Sequence, residues 1–288
     1  MRRFSSRETL RCIDENGSYG TGRFKTGVCL HEPLQSIKSL NFLAVKEYMP
    51  RLEKHYRILI SIFTRHAASG EPVNATQSFT YLGLDLISEL TFGKSFELLR
   101  TGRTNVVTKR LVGEKKIIGF ALIITWCIHL IRAFTPAGRH DLAWYKEALE
   151  KRKRMDVQHP DLYTHLSQSD TWEFDCERET RLAIVAGSDT VAITLTNICW
   201  FLSSCPEYQN KLYTELVELP DKNGLIDDQL LIHNPLLLGI INEALRLQPA
   251  VPSGVQRVTP PEGAVIAGRY IPGNIVITTP TYSLHRGK

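Results

Sequence analysis

Most of the short motifs that announce a chemistry are missing from this chain. It has no glycine-rich phosphate loop, no HExxH, no GxSxG nucleophile elbow and no cysteine–histidine spacing suited to zinc. Those absences set aside the common nucleotide hydrolases, zinc enzymes and serine hydrolases. Gly20 and Gly22 begin a GxG, but Lys25 stands where a dinucleotide fingerprint needs its third glycine, and no strand pattern precedes it. Six cysteines (Cys12, Cys29, Cys127, Cys176, Cys199 and Cys205) form no CxxC pair and no regular framework. They read as free thiols of an intracellular or cytosol-facing protein. The opening MRRFSSRETLRC has no apolar segment after its arginines, so neither a signal peptide nor an N-terminal membrane anchor is expected there. Excess charge is also missing: 35 Lys and Arg stand against 30 Asp and Glu, and the net +5 is dispersed. No nucleic-acid partner is implied.

What is present is ordinary globular composition, 43% hydrophobic and 23% charged over 288 residues. Residues 1–33 are weakly patterned and glycine-bearing, and are read as loop with no assigned domain. From Leu34 the pattern turns helical. Leu52, Tyr56, Leu59, Ile60 and Phe63 predict a helix over Tyr48–Phe63, and His55 and His66 read as surface histidines. Phe79, Leu82, Leu86 and Leu90 predict a second helix that Gly93 would cap. The most apolar run, Ile117–Ile131, is shorter than the ~20 residues that span a bilayer. It is either a core helix or a segment dipping into a membrane surface. Residues 141–154 form a charged helix on which Lys151–Arg154 read as a solvated face. After another helix over 236–247, closed by Pro249 and Pro252, the texture becomes rich in Pro, Gly, Val, Ile and Thr, as short strands joined by turns require. The fold class is mainly α with a small β part, and residues 34–288 read as one domain.

The stretch around which the rest is arranged is Arg181–Cys205, RLAIVAGSDTVAITLTNICWFLSSC. Large apolar residues fall at nearly every azimuth, as in a buried helix. One stripe differs. Ala183, Ala186, Gly187, Thr190, Thr194 and Asn197 share a small, mildly polar face against which something flat can lie. Gly187 costs roughly 1 kcal/mol against alanine in a helix interior, which calls for a reason. Asp189, among apolar neighbours, is expensive unless paired. A tightly packed helix crossing with a capped or salt-bridged Asp189 explains these residues as readily as a site does. Ser188 lies within the helix and not on a strand-to-helix elbow.

Two further positions stand out. Glu243 and Arg246 lie three apart in an apolar helix with Ile240, Ile241, Leu245 and Leu247 around them, so partial burial of the pair is expected. Such a pair either fixes a local packing angle or recruits a third polar partner. Arg257 follows the VPSGVQ turn; a lone arginine there is solvated unless it faces an anionic group.

Taken in order, Ala186-Gly-Ser-Asp-Thr190 on a long helix, Glu243-Ala-Leu-Arg246, Pro252-Ser-Gly-Val-Gln-Arg257, Pro260-Pro-Glu-Gly263 and Tyr270-Ile-Pro-Gly273 closely resemble the cytochromes P450, most of all their fungal microsomal members. The resemblance covers roughly Val45 to Arg286 and is densest after Ala183. It implies a partial cytochrome P450 fold, haem with its iron as cofactor, and insertion of one oxygen atom from O2 into an apolar small molecule. It also implies an NADPH-dependent reductase as partner and a place on the cytosolic face of the endoplasmic reticulum with peripheral membrane contact. By the same resemblance, Ala186 and Gly187 let the long helix pass close over the haem, and Asp189 and Thr190 deliver protons for oxygen activation. Glu243 and Arg246 form a structural pair behind the haem, and Arg257 binds a haem propionate.

The sequence departs from that pattern in one respect that bears on mechanism. The family holds iron through a cysteine in a loop of the form FxxGxRxCxG, and none of the six cysteines has that context. No WxxxR is present either. No metal ligand is therefore assigned, and the expectation is a chain truncated before the ligand loop and inactive by itself. The alternative from another class is a non-catalytic remnant acting as a membrane-surface or partner-binding helical protein.

Overall fold

Residues 42–103, 146–155, 161–167, 172–222 and 225–287 are described by the computed structural model. The loop assigned to residues 1–33 and the apolar run Ile117–Ile131 lie outside them. The chain divides into two compact units, one ending at Ile193 and the other beginning at Thr194.

The first unit is helical. Helix α1 (Phe42–Ser69) is longer than its apolar spacing predicts and continues through Pro50. Helix α2 (Ala75–Phe92) starts at Asn74, whose side chain accepts the Gln77 amide at 3.0 Å. It ends at Gly93, which takes a left-handed φ of 67° and donates its N–H to Glu89 O at 2.9 Å, the cap expected from the sequence. A one-turn helix α3 (Leu98–Thr101) is bound back to α2 by the buried Asp85. Its two carboxylate oxygens accept the amides of Leu98 (3.0 Å) and Leu99 (2.8 Å). Helices α4 (146–153) and α5 (Leu162–Ser167) follow. The core gathers Phe79, Leu82, Leu84, Phe92, Leu98, Leu99 and Ile184.

Helix α6 (Trp172–Ser204) starts nine residues before the predicted Arg181. It is not buried all round. One i, i+4 stripe, Thr180, Ile184, Ser188 and Ala192, is buried, while Val191 and Ile193 are exposed. The buried stripe crosses α2 at very short range. A Cβ on Gly83 would lie 2.5 Å from the Ser188 carbonyl oxygen, and one on Gly187 would lie 2.8 Å from Ile87 Cδ1. Ser188 folds its hydroxyl back onto Ile184 O at 2.7 Å, so it adds little volume to the crossing.

Two sequence expectations fail here for the same reason. His55 is not a surface histidine: it is 2% exposed, and its Nε2 lies 2.5 Å from Glu89 on α2. The 151–154 run is not wholly a solvated face. Arg152 is buried and pairs bidentately with the buried Asp161 (2.8 and 2.9 Å), whose Oδ1 also accepts the Thr164 amide at 2.9 Å. In both cases a helix packs over a charged group and supplies the partner that burial demands.

The second unit mixes short elements. Pro206 opens α7 (Pro206–Val217). A hairpin of β1 (Asp221–Lys222) and β2 (Leu225–Ile226) and the single turn α8 (Asp228–Leu231) lead to α9 (Pro235–Leu247), capped by Asn234. Strands β3 (Gln256–Val258) and β6 (Val276–Thr278) pair antiparallel, with Arg257 opposite Ile277. Between them β4 (Ala264–Ile266) and β5 (Arg269–Ile271) form a hairpin whose loop residues Ala267 and Gly268 both have positive φ (49° and 80°). Helix α10 (Thr281–Arg286) follows β6, in a stretch whose composition suggests strands and turns.

Two measurements check this packing. Gly83→Ala forces a Cβ against backbone, which cannot yield, and should destabilise by about 1–3 kcal/mol in urea unfolding. Gly239→Ala, in α9 with nothing within 4 Å of the new Cβ, should instead stabilise by up to ~1 kcal/mol. The second check uses pH. Burial pushes the Glu89 carboxyl up, but the His55 hydrogen bond, with the charges of His55, Lys54 and Arg51, more than offsets it and holds the group below its ordinary range. A carboxyl depressed in the folded state contributes stability above its unfolded value and loses it as pH falls through the folded one. The melting-temperature gap between wild type and Glu89→Gln should thus be full near neutrality and close on acidification below the ordinary glutamate range.

Candidate functional site

The small-residue stripe of α6 is turned away from the buried Ile184–Ser188 stripe. Ala186 is exposed, and Ala183, Gly187, Asp189 and Thr190 are half-buried. The Thr190 hydroxyl donates to Ala186 O at 2.7 Å. Gly187 does not belong wholly to the open face: the Ile87 side chain already fills the space beside it. The helix-crossing reading therefore explains Gly187, whereas Ala186 and Thr190 lie on the side of α6 away from Ile184 and Ser188.

Glu243, Arg246 and Arg257 belong to the second unit. The pair is close and bidentate, Arg246 Nε to Glu243 Oε2 and Nη2 to Oε1, both 2.7 Å. The partial burial expected from its apolar neighbours is not found. The Arg246 and Glu243 side chains are 44% and 54% exposed, because the apolar neighbours occupy other azimuths of α9 and Ala244 alone on that helix is fully covered. The hydrogen bond from Arg246, against slight desolvation, holds the Glu243 carboxyl below its usual range. The third polar partner is a backbone group: Arg246 Nη1 donates to His285 O at 3.0 Å. Arg257, on β3, is half-buried and spends one N–H on its neighbour's carbonyl, Gln256 O, at 3.0 Å.

Ala186 and Thr190 form a low, mildly polar stretch of α6; in the other unit, Arg257 has no carboxylate paired with it among the described residues, which leaves its guanidinium suited to an anionic group. Cys199 and Cys205 are exposed at the end of α6, though partial desolvation raises the Cys199 thiol, and no cluster of three metal-ligating side chains occurs among the described residues. The contacts missed from the sequence are those of His285 and Arg286, because TYSLHR is a single helical turn without a readable period.

The chain is mostly helical, with one long helix, a helix carrying Glu243 and Arg246 three residues apart, and short paired strands. The cytochrome P450 family model matches residues 144–288, and the chain belongs to the cytochrome P450 family. It is 31% identical over 275 residues to cytochrome P450 monooxygenase nodW of Hypoxylon pulicicidum, covering 90% of this chain and 52% of that protein. It is 32% identical to cytochrome P450 monooxygenase orf5 of Eupenicillium brefeldianum (84% and 50% covered) and 29% identical to tryprostatin B 6-hydroxylase of Neosartorya fischeri (90% and 49%). The chain thus spans about half the length of the curated relatives it matches. Among solved structures, a cytochrome P450DA heme domain superposes with a TM-score of 0.71 at 17% identity, over 88% of this chain and 56% of that one. That likeness bears out the mainly α fold with its small β part.

Because the Glu243–Arg246 pair is open to solvent, Glu243→Gln should lower the melting temperature only slightly, and less still in molar salt. A large, salt-independent drop would mean that the pair is covered in solution.

Proposed function

We propose that these residues supply part of a haem-dependent monooxygenase that acts on an apolar small molecule with electrons from an NADPH-dependent reductase. The observation that carries the reading is the small-residue Ala186–Thr190 face of α6, turned away from the buried Ile184 and Ser188, in a chain of this family. Bound haem would supply the redox chemistry of oxygen activation, tuned by its axial ligand. The chain's own residues would do the rest. Ala186 keeps bulk away from the porphyrin face. The Thr190 hydroxyl, its own proton held by Ala186 O, would accept a hydrogen bond from a water and so orient it, and the adjacent Asp189 carboxyl would deliver a proton through that water. Arg257 pairs with a propionate, and the Glu243–Arg246 pair braces the helix behind it. Contact with the cytosolic face of the endoplasmic reticulum belongs to the same proposal; Leu182–Ser204 is long and apolar enough to cross a membrane by composition, but it includes the core-packed Ile184 and Ser188.

The test is spectroscopic. A polypeptide of these 288 residues should give no long-wavelength, thiolate-type band when reduced under carbon monoxide, because none of its cysteines stands in an FxxGxRxCxG loop. A polypeptide extended through such a loop should gain the band, and in it Thr190→Ala should divert reducing equivalents to peroxide. An extended protein without the band, or a Thr190→Ala variant as well coupled as wild type, would overturn the reading.

A further inference from the structure

Helices α9 and α10 end side by side, and each C-terminal turn leaves carbonyls without an intrahelical partner. The two helices satisfy one another. Arg246, in the last turn of α9, donates from Nη1 to His285 O in the last turn of α10 at 3.0 Å. Arg286, at the end of α10, donates from Nη2 to Leu247 O at the end of α9 at 2.6 Å. Each arginine also places positive charge on the negative pole of the other helix. Arg286 is steadied further by lying 4.3 Å from the centre of the Tyr282 ring.

The exchange reaches β3. Helix α10 follows directly on β6, and β6 pairs with β3 so that Ile277 lies opposite Arg257. The Tyr282 amide donates to Pro252 O at 3.0 Å, tying the start of α10 to the turn that leads into β3. Gly254 in that turn lies so close to Thr279 O that a Cβ would stand 1.9 Å away. The segment bearing Arg257 is therefore held at both ends by the piece of chain whose far end Arg286 locks to α9.

We propose that Arg286 is a positioning residue: by locking α10 to α9 it fixes the β3–β6 pair and so the place of the Arg257 guanidinium, which receives a porphyrin carboxylate. This rests on the reading above, in which Arg257 meets a propionate. The experiment titrates the full chain and its variants with haem and with haem dimethyl ester, whose propionates are uncharged. It is paired with hydrogen exchange of the free chain. Wild type should prefer haem over the ester about tenfold, as one charge-assisted pair provides. Arg257→Ala should abolish the preference. Arg286→Ala should cut it about threefold or more with ester affinity unchanged, and Arg286→Lys should restore most of it. In the free chain, Arg286→Ala should speed amide exchange over 253–259 and 275–282 while leaving α7 unchanged. If Arg286→Ala does not fold, Arg286→Gln, which keeps a neutral donor, carries the same comparisons. Equal loss of haem and ester affinity would mark a general structural role and overturn the proposal. If wild type shows no preference for haem over the ester, the propionate reading falls, and exchange alone decides the coupling: faster exchange over β3 supports it, and unchanged exchange overturns it.

Discussion

The first unit depends on the contact between α2 and α6, where the backbone of one helix meets the backbone of the other. Gly83 has no side chain to spare: the space a Cβ needs is taken by the Ser188 carbonyl. Ser188 in turn directs its hydroxyl to its own helix, and Gly187 leaves room for Ile87. Close-packed interiors tolerate neither a gap nor an overlap of a methyl group, so this crossing sets the rotation of α6 about its axis. Once Ile184 and Ser188 face inward, Ala186 and Thr190 must face the other way. The packing decides which face carries Ala186 and Thr190, and the two cannot be varied independently.

Polar groups caught under that packing are satisfied by local geometry. Asp85 is buried yet accepts two amides at the start of α3, so a carboxylate does the work of a helix cap. Asp161 serves both as the partner of Arg152 and as the cap of α5. In the second unit Thr259 is buried with its hydroxyl between Pro272 O (2.7 Å) and the Ile275 amide (2.9 Å), closing the turn before β6. Each arrangement spares a buried group the desolvation cost it would otherwise carry, which is about 1–3 kcal/mol for an unmade hydrogen bond. None is visible in the spacing of apolar residues.

The candidate site was legible to unequal degrees. The order of its motifs was enough to place Ala186, Gly187, Asp189 and Thr190 on one helix, Glu243 and Arg246 on another, and Arg257 in the β segment. Burial was not legible. Gly187 reads as part of the open stripe but abuts Ile87, and Glu243 and Arg246 read as half-buried but are open to solvent. An apolar helix has more than one azimuth, and the identities of neighbours in sequence do not say which azimuth a second element will cover. The two long-range bonds of Arg246 and Arg286 span 39 residues each, beyond any local pattern.

By itself the sequence determined what depends on neighbours within about four residues. That includes the helical periods of α1, α2, α6 and α9, the Gly93 cap, the turn-rich strands after Val251 and the chain's family. Those features follow from backbone sterics and side-chain spacing, which travel with the chain. The tertiary structure alone decided which stripe of α6 is buried, why Gly83 is glycine, that His55 and Arg152 lie inside, and that two helix ends exchange arginines. Each of these depends on a partner from a distant segment, and burial and charge pairing acquire meaning only when that segment arrives.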